Sequence, residues 1–512
     1  MAQLFDHVAL HLNPNDNVAI AKTDIAPGTP ITMFDERILA IRDGIPVAHK
    51  FALRAIAPGA PVTRYGYPIG VATQAIQPGE WVHTHNVAVG EIFKAYTFNV
   101  VNSSPRAPSR QTFLGYARAD GCAGTRNYVA VIATVNCAAH ATLDIARAFS
   151  PERLAAFPNV DGVIPIVHHS GCGHVAGSVA DRYLKNALAN VARNPNIAGY
   201  IVVGLGCEVN LMEDWSGITP AHTFDAFPPN GFGINIQDRG YRQTVELGIR
   251  AIEKMLPRAN QIARTPQPIS ELTMALQCGG SDGWSGITAN PLVGLVVDRL
   301  VALGGTAVLS ETPEIFGAEH LLLQRVASEE VGRKLIARFQ WWNDQAQKFG
   351  FTVDNNPGPG NKRGGLTTIF EKSLGAAAKG GSSPLMEVYE YAESVTGKGL
   401  TFMDTPGYDP VSATGQLAGG CNLIVFTTGR GSVFGSNLAP CIKIATNNAL
   451  YARMRADLDF NAGQILDGLP MRDAADQLLA QVIAVASGEK TQSEQNGLPD
   501  CEFVPWTPGA VV

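Results

Sequence analysis

The side chains of this sequence that could carry out acid–base or metal chemistry gather in short loops, each following an apolar run of strand length. In open sheets of parallel strands, ligands bind beyond the carboxyl ends of the strands. We therefore expect these loops to face ligand sites. Helix capping is an alternative for Ser281, Asp282 and Thr405 taken singly, but it accounts less well for the repeated Cys, His, Glu and Arg. The loops are Asn136-Cys137, 168–174, 204–210, 278–282, Ser310-Glu311, Asp404-Thr405 and 427–432.

Two groups of histidines have spacings that suit a metal ion. His83 and His85 are separated by one residue, and alternate residues of a strand project to the same face. His49 lies in the same segment beside Lys50, so that a third imidazole and an amine could converge on the pair. A later loop, with the sequence HHSGCGH, ends at His174 and offers three imidazoles and a thiol to a transition metal. For both groups, hydrogen-bonded histidines without a ligand are an equal alternative.

Two glycine-rich loops combine backbone amides with a cation. Lys362 lies in GNKRGG and Arg430 lies in TTGRGS. Backbone N–H groups and a guanidinium suit a carboxylate, although a flexible surface turn with a solvated cation is an equal alternative for either loop. Neither loop has the Gly-Lys-Ser/Thr ending of a P-loop, and Gly204-Leu-Gly206 lacks the third glycine of a dinucleotide site.

Composition excludes several classes of protein. Of the 512 residues, 46% are hydrophobic and 16% are charged, which predicts sizeable cores rather than disorder. The net charge of −6 without a long basic run argues against a nucleic-acid partner. Apolar runs are of strand length, so we expect no membrane anchor. Eight cysteines without a Cys-x-x-Cys pair indicate a reducing, cytoplasmic setting rather than a disulfide framework.

The elements that position the loops divide the chain into a β-rich start and two alternating segments. Residues 1–96 contain three copies of an apolar run, a Pro-Gly turn and a second apolar run, which predict a small, folded-over β module. Residues 97–112 have the Ser- and Pro-rich composition of a linker. Strands then alternate with helices over 113–263 and again over 264–512, which predicts two α/β domains with mainly parallel sheets.

Long motifs of this sequence resemble those of the altronate and galactarate dehydratase family. The segment HKFAL at 49–53, together with the Pro-Gly repeats, is similar to the family's N-terminal β-clip module of the SAF type. The likeness runs in order over almost the whole chain. Its further motifs are GLGCEVN (204–210), LQCGGSDGWSGITANP (276–291), PGNK (359–362), KSLG (372–375), FMDTP (402–406) and FTTGRG (426–431).

The resemblance implies a metal-dependent hydro-lyase that removes water from a sugar acid and leaves a 2-keto-3-deoxy acid, with Fe2+ or Mn2+ as the metal. The paired histidines are closer to the altronate branch than to the galactarate branch. We expect the protein to form a homo-oligomer, namely a dimer. We expect its binding partner to be the small sugar-acid substrate.

The reaction needs a base for the proton α to a carboxylate, a cation beside the charge that forms, and an acid for the departing C3 hydroxyl. These roles require the β module to fold over the α/β cleft. We assign the metal to His49, His83 and His85, proton transfer to His174, Lys50 and Glu311, and substrate binding to Arg126, Asn127, Ser281, Asp282, Lys362, Thr427, Thr428 and Arg430.

Departures from the family's pattern leave the substrate and one cofactor open. Cys122 stands where relatives usually carry Arg, whereas Val433, Ser436 and Ala462 stand where many relatives carry Cys. These losses weaken a further alternative, in which an iron–sulfur cluster is held by cysteines of the loops. Its candidate ligands are Cys137, Cys172, Cys207 and Cys278.

Other functions stay open beside dehydration of an altronate-like acid. The substrate could be galactarate or another aldarate. The leaving group could instead be sulfite from a sulfonated hydroxy acid. A non-enzymatic alternative is a sugar-acid-binding protein built around the β module.

Overall fold

A computed structural model of the chain describes residues 2–90, 96–101, 110–218, 231–497 and 502–509. Half of the predicted linker, residues 102–109, lies outside the described residues. Its first part does not hang free, because the backbone N–H of Asn99 donates to the carbonyl of Leu323 at 3.0 Å. This stretch therefore runs along the last domain.

The N-terminal module consists of short strands in three small sheets, ordered β1-β4-β5, β2-β3-β6-β9 and β10-β8-β7. The glycine of each Pro-Gly turn adopts a positive φ (79°, 77° and 84° at Gly28, Gly59 and Gly79), which favours glycine and closes the predicted hairpins. The elements are β1 Gln3–Leu4, α1 Phe5–Val8, β2 Ala9–Leu10, β3 Val18–Ala21, β4 Pro30–Thr32, β5 Ile38–Ala40, β6 Lys50–Ala52, β7 Pro61–Arg64, β8 Tyr67–Ala72, β9 Trp81–Val82 and β10 Val87–Ala88.

The middle domain is a four-stranded parallel sheet, ordered β14-β13-β15-β16 and covered by helices. A small antiparallel sheet of β12, β11 and β17 adjoins it. The elements are β11 Thr112–Ala117, β12 Ala123–Gly124, β13 Tyr128–Ala133, α2 Ala139–Arg147, α3 Pro151–Leu154, β14 Gly162–Ile166, α4 Val179–Val191, β15 Ile197–Gly204, α5 Met212–Ser216, β16 Gly231–Asn235, α6 Ile236–Arg239, α7 Tyr241–Asn260 and β17 Thr265–Pro268.

The last domain is built on a seven-stranded, wholly parallel sheet, ordered β20-β21-β19-β18-β22-β23-β24. Its elements are β18 Thr273–Cys278, α8 Ala289–Ala302, β19 Thr306–Leu309, α9 Glu319–Leu323, α10 Glu329–Phe349, α11 Pro359–Arg363, α12 Ile369–Ala377, β20 Leu385–Tyr389, β21 Gly399–Met403, α13 Asp409–Ala418, β22 Leu423–Thr428, β23 Cys441–Ala445, α14 Asn448–Arg453, β24 Phe460–Asn461, α15 Met471–Ala486 and α16 Gln492–Gln495.

The predicted fold class is confirmed: a β-rich start is followed by parallel sheets with helices. The cores are shared between these parts. One apolar cluster joins Val82 and Val87 of the module to α8 and β18, and another joins Ile132 and Val202 of the middle sheet to Phe426. Burial across the boundaries therefore fixes the loops of one part against those of another.

Candidate active site

The carboxyl edge of the seven-stranded sheet holds a cleft of about 460 Å³. β18 lies at the centre of this sheet. The chain proceeds from β18 to β19, β20 and β21 on one side of it, and then crosses to β22, β23 and β24 on the other side. Such a reversal of strand order opens a crevice where ligands bind in α/β sheets. The walls of the cleft are formed by the loops after β18 and β22, by the N-terminus of α13, and by α11. Its chemically active lining residues are Cys278, Glu314, Asn356, Lys372, Asp409 and Arg430.

A buried group of acids and amines forms one wall of the cleft; we call it the carboxylate–lysine cluster. It consists of Cys278, Glu311, Glu314, Lys372 and Lys379. The sulfur of Cys278 lies 3.6 Å from a Glu311 oxygen and 3.5 Å from a Glu314 oxygen. The Lys372 ammonium donates to Glu314 at 2.6 Å, and that of Lys379 donates to Glu311 at 3.3 Å. The cluster can therefore move a proton between neighbouring groups.

The backbone around the cluster is held in unusual conformations. Glu311, directly after β19, adopts φ 66°, a left-handed conformation that L side chains rarely take, while its N–H donates to Thr405 Oγ1 at 2.9 Å. A side chain on Gly279 would place its Cβ 2.2 Å from an Asp409 oxygen. Glycine is needed there so that the β18 loop can approach the first turn of α13.

Two carboxyl groups at this site have pKa values near neutrality. Burial, and after it the charge of Glu314, raises the pKa of Glu311 to about 8. The same two causes raise the pKa of Asp409 to about 7. Burial also raises the pKa of Glu314, but the adjoining Lys372 outweighs it and the net pKa is lowered. A group that titrates near neutral pH is suited to general acid–base catalysis.

The carboxylate–lysine cluster also contains the one group of three potential metal ligands found within the described residues. One donor atom each of Cys278, Glu311 and Glu314 lies within 4.8 Å of the other two. Oε1 of Glu311 is buried and accepts no hydrogen bond from any described residue. A buried, unsatisfied oxygen beside two further donors is what a small cation requires.

Arg430 lies at the rim of the cleft with an exposed side chain. Its backbone N–H donates to the carbonyl of Gly280 at 2.8 Å, which fixes the loop after β22 against the loop after β18. Its guanidinium forms no hydrogen bond or ion pair within the described part of the chain. The same residue lines a second cavity of about 580 Å³ between the N-terminal module and the last domain. Of the predicted substrate ligands, Arg430 is therefore the cation placed to bind a carboxylate.

The predicted metal histidines lie beside Trp81 in the module. The rings of His49 and His83 have centroids 4.9 Å apart, and Trp81 Nε1 donates to His49 Nδ1 at 3.2 Å. Nδ1 of His83 is buried and has no hydrogen-bond partner in the part of the chain that the structure describes, whereas His85 is exposed. Burial and the charge of Lys50 lower the pKa of His83 to about 3, so this imidazole is neutral. His49 borders the second cavity, but the three imidazoles do not meet as a ligand group.

The structure gives Lys50 a role different from the predicted one. Its ammonium is wholly buried and donates to the carbonyl of Gly365 at 2.6 Å and to Glu371 at 2.9 Å. Arg64 binds the same carboxylate. Lys50 borders neither cavity. We therefore no longer assign proton transfer to Lys50, because all contacts of its ammonium are with the protein.

The predicted substrate ligands Arg126 and Asn127 lie at the opposite edge of the middle sheet, directly before β13. The guanidinium of Arg126 binds the carboxylate of Glu494 at 2.6 and 2.8 Å, together with three backbone carbonyls. The amide of Asn127 donates to the carbonyls of Asn159 and Ala259. Both side chains are buried and fully used in joining elements, so we withdraw their assignment to substrate.

Three other predicted ligands hold loops together beside the cleft. Asp282 accepts hydrogen bonds from the backbone N–H groups of Trp284 and Ser285 and from Thr446. Thr427 Oγ1 donates to Asn290 at 2.7 Å. Thr428 Oγ1 accepts from the N–H of Gly431 at 3.0 Å. Their contacts orient the loop that carries Arg430, and we retain them as positioning residues.

The last three predicted residues fall at different places. Ser281 is buried, and its carbonyl accepts from Asn361 at 2.8 Å, which fixes one wall of the cleft. Lys362 lies in α11 but does not line the cleft. His174 is buried at the carboxyl edge of the middle sheet, where Nε2 is 3.0 Å from an Asp181 oxygen. The structure thus does not bring His174 into the cleft with Glu311.

Sequence reasoning did not single out several residues of the cleft. Lys372 lies in the KSLG motif, to which no role was assigned. Glu314 follows Glu311 by three residues, and Asp409 is the first residue of α13. The spacing of the two glutamates, both after the end of one strand, was the available signal. Nothing local distinguishes Lys372 from the other lysines of the chain.

Three family descriptions match successive parts of the chain. They are "Altronate/galactarate dehydratase SAF domain" over residues 7–90, "D-galactarate dehydratase/Altronate hydrolase, second domain" over 115–260 and "D-galactarate/Altronate dehydratase, C-terminal" over 269–511. Among the described helices, none combines the length and the apolar character needed to cross a membrane.

Full-length relatives are similar to this chain. An altronate dehydratase of Bacillus subtilis (strain 168) is 35% identical over 496 residues, which cover 95% of this chain and 96% of the relative. A galactarate dehydratase (L-threo-forming) of Escherichia coli (strain K12) is 36% identical over 501 residues, 96% of this chain and 95% of the relative. The beta subunit of a (2R)-sulfolactate sulfo-lyase of Chromohalobacter salexigens is 32% identical over 392 residues, 76% of this chain and 95% of the relative.

Proposed function

Because this chain belongs to the D-galactarate/altronate dehydratase family and is a hydro-lyase, we propose that it removes water from a sugar acid of the altronate type and releases a 2-keto-3-deoxy sugar acid. One observation carries the proposal beyond family membership. The cleft has at its rim Arg430, a cation unpaired among the described residues, and titratable carboxyl groups beside a lysine on its wall. Removing a proton next to a carboxylate requires both.

Arg430 is the proposed anchor of the substrate carboxylate. A guanidinium binds a carboxylate through two parallel hydrogen bonds, which fixes the plane of the acid and thereby the direction of its C2 proton. Charge moves onto this carboxylate as the proton leaves, so the contact strengthens as the reaction proceeds. Asp282, Thr427 and Thr428 act through the loop that carries Arg430.

Asp409 is the proposed base. Its carboxylate borders the cleft and accepts no hydrogen bond within the described residues, so it is available to substrate. Lys372, also on the cleft wall, is the proposed donor toward the departing C3 hydroxyl, and Glu314 orients it at 2.6 Å. Glu311 does not line the cleft. We therefore propose that Glu311 positions Cys278 and Lys379 from behind rather than contacting substrate.

Metal dependence is part of the proposal, and the donor set of the cleft fits a divalent ion. Cys278, Glu311 and Glu314 would hold it, since their donor atoms lie within 4.8 Å and one Glu311 oxygen has no other partner. Carboxylates suit Mn2+, and the thiolate favours Fe2+ or Zn2+. When bound, such an ion supplies positive charge beside the developing negative charge of the substrate.

The similarity to a sulfolactate sulfo-lyase subunit supports one second candidate, in which the same cleft releases sulfite instead of water. Proton removal next to a carboxylate is common to both reactions. Only the leaving group on the neighbouring carbon differs, so the two candidates predict the same base and the same carboxylate anchor.

A substrate panel tests the proposal. Purified full-length protein is loaded anaerobically with Fe2+ or Mn2+ and incubated with D-altronate, galactarate and (2R)-sulfolactate, while 2-keto acid and sulfite are measured. We expect 2-keto acid from altronate without sulfite. Turnover of galactarate alone would correct the substrate, and sulfite release would favour the second candidate. A metal-loaded, folded protein without turnover on any of the three would overturn the proposed function.

A further inference from the structure

Three free cysteines are exposed among the described residues, and all three lie at one edge of the middle sheet. Cys137, Cys172 and Cys207 follow the carboxyl ends of β13, β14 and β15, which are neighbours in that sheet. The other free cysteines of the described chain are buried or half-buried. An exposed thiol is open to oxidation and is the exception for this residue type. Three exposed thiols at one edge of a sheet therefore indicate a ligand site.

Hydrogen bonds hold the three cysteine loops together. The N–H of Asn136, next to Cys137, donates to the carbonyl of Ser170 at 2.9 Å. The N–H of Asn210 donates to the carbonyl of Gly171, next to Cys172, at 3.2 Å. The Asn210 amide also donates to the carbonyl of Thr134 at 2.8 Å. Each thiol therefore belongs to a loop that is tied to the other two, and the three can face one ligand.

Glycines let these loops approach each other. Gly171 precedes Cys172 with φ 100°, and a Cβ at this position would lie 2.7 Å from Cα of Val135 in the loop after β13. Gly206 precedes Cys207 with φ 118°. Both conformations favour glycine, and the first allows backbone to pack directly on backbone.

Two buried polar atoms in the same loops have no hydrogen-bond partner among the described residues. They are Nδ1 of His174 and Oδ1 of Asn210, whose side chains are 6% and 0% exposed. Buried polar groups are almost always paired, so unsatisfied atoms indicate a missing ligand. They lie two residues after Cys172 and three residues after Cys207, and they support a ligand site independently of the thiols.

A single metal ion and an iron–sulfur cluster require different distances between the sulfurs that bind them. A single tetrahedral ion bound at about 2.3 Å by thiolates would hold their sulfurs about 4 Å apart. The described residues contain one group of three donors within 4.8 Å, and these cysteines are not part of it. In an iron–sulfur cluster each thiolate binds a different iron, so the sulfurs stand farther apart.

We propose that Cys137, Cys172 and Cys207 together bind an iron–sulfur cluster of the [4Fe–4S] type. Three protein thiolates leave one iron without a protein ligand, and an oxygen of a small hydroxy acid or of water is of the class that this iron would accept. The remaining loop cysteine, Cys278, belongs to the carboxylate–lysine cluster and is not part of this site. The site is separate from the cleft of the proposed function, and its occupancy does not depend on which substrate that cleft takes.

Anaerobic reconstitution of the full-length protein with ferrous iron and sulfide, followed by desalting, tests the site. We expect a brown protein with about four iron and four sulfide per chain. Cys137→Ser, Cys172→Ser and Cys207→Ser should each lose most of the visible absorbance and sulfide. Cys122→Ser is the matched control, because this cysteine is half-buried in the turn between β11 and β12, away from the three loops, and it should keep both.

Other outcomes would overturn the site. A colourless protein without sulfide, iron or zinc bound without sulfide, or equal loss in Cys122→Ser would each contradict it. Circular dichroism reports whether each variant is folded. If a serine variant does not fold, the alternative measurement is whether reconstitution protects the three thiols of the wild-type protein from alkylation. All three thiols should become unreactive together on reconstitution, and continued labelling of any of them would reject the proposal. Because the readout is iron, sulfide and colour, an inactive protein would not affect it.

Discussion

Lys50 and Glu371 form a buried ion pair that joins the N-terminal module to the last domain. The ammonium nitrogen lies 2.8 and 2.9 Å from the two carboxylate oxygens, and both side chains are fully buried. Arg64 binds the same carboxylate and also donates to the carbonyl of Gly283 at 2.6 Å. This clamp fixes His49, next to Lys50, over the loops that carry Asp282 and Arg430. This ion pair and the apolar cluster that Val82 and Val87 share with the last domain together hold the module beside the second cavity.

Glu371→Gln should destabilise the protein strongly. The variant keeps the side-chain volume but leaves two buried cations without an anion. Removal of one partner of a buried pair costs about 3–5 kcal/mol. We expect the first unfolding transition in urea to move to lower urea concentration, as measured by tryptophan fluorescence.

Asp35→Asn is the matched control for this clamp. Asp35 pairs with Arg37 at 2.6 Å, but both side chains are exposed, so its loss should leave the urea transition close to that of the wild-type protein. Equal transitions for Glu371→Gln and the wild-type protein would mean that the clamp does not hold the module.

The contribution of Glu371 to stability should depend on pH in the acid range. Burial raises the pKa of this carboxyl, but the charges of Lys50 and Arg64 outweigh it and bring the pKa to about 2, from an ordinary 4.5. A depressed pKa stabilises the folded state above the unfolded pKa, and this stability is lost as the pH falls toward the folded value. The difference in melting temperature between wild-type and Glu371→Gln protein should shrink as the pH falls from about 4.5 to 2. A difference that grew with acid would contradict this sign.

The arrangement of strands and loops was predictable from the sequence because apolar runs and glycine-rich loops alternate. Cys278 and Glu311 each follow a predicted strand, and the pairing of β18 with β19 brings them together. Arg126 precedes a strand, so the same rule would have put it at the opposite edge of the sheet, away from ligands.

The rest of the cleft depends on packing that no local pattern encodes. Lys50 in β6 and Lys372 in α12 are both buried, yet the first is sealed inside the clamp and the second reaches the cleft. Asp409 reaches the cleft because α13 begins against the loop after β18, at Gly279. Neither α12 nor α13 shows a one-sided apolar pattern in the sequence, since residues on all faces of these helices are buried.

Arg430→Met should weaken substrate binding and also slow turnover, because the contact strengthens as the C2 proton leaves. The side chain is exposed at the rim of the cleft and unpaired within the described chain, so its removal takes away a charged contact to substrate without disturbing an ion pair. A hydrogen bond to a charged group is worth about 1.5–3 kcal/mol, which predicts a rise in KM of about 10- to 100-fold. Steady-state kinetics on the active substrate measures it.

Arg363→Met is the control for this prediction. Arg363 is a neighbouring exposed cation that lines only the second cavity, and we expect its KM to stay near the wild-type value. If Arg363→Met raised KM while Arg430→Met did not, the substrate carboxylate would have to be placed in the second cavity.

Asp409→Asn should lower kcat with little change in KM. The amide has the size of the carboxylate but cannot accept a proton, and loss of a general base typically costs about 10²- to 10⁴-fold in rate. Exchange of the substrate C2 proton with deuterated solvent, followed by NMR, should fall in parallel. A variant with wild-type kcat and wild-type exchange would remove Asp409 from the mechanism.

Metal retention should separate the carboxylate–lysine cluster from the histidines of the module. Glu314→Gln leaves Lys372 without its carboxylate and removes one of three donors, so we expect Mn2+ to bind about tenfold more weakly or worse, as measured by metal analysis after dialysis. His83→Ala and His85→Ala should retain metal, because the three imidazoles do not converge in a ligand group. If His83→Ala lost the metal and Glu314→Gln kept it, the ion would belong beside Trp81, where Nδ1 of His83 lacks a partner. Loss of metal in both variants would require the module and the cleft to share one site across the Lys50–Glu371 clamp.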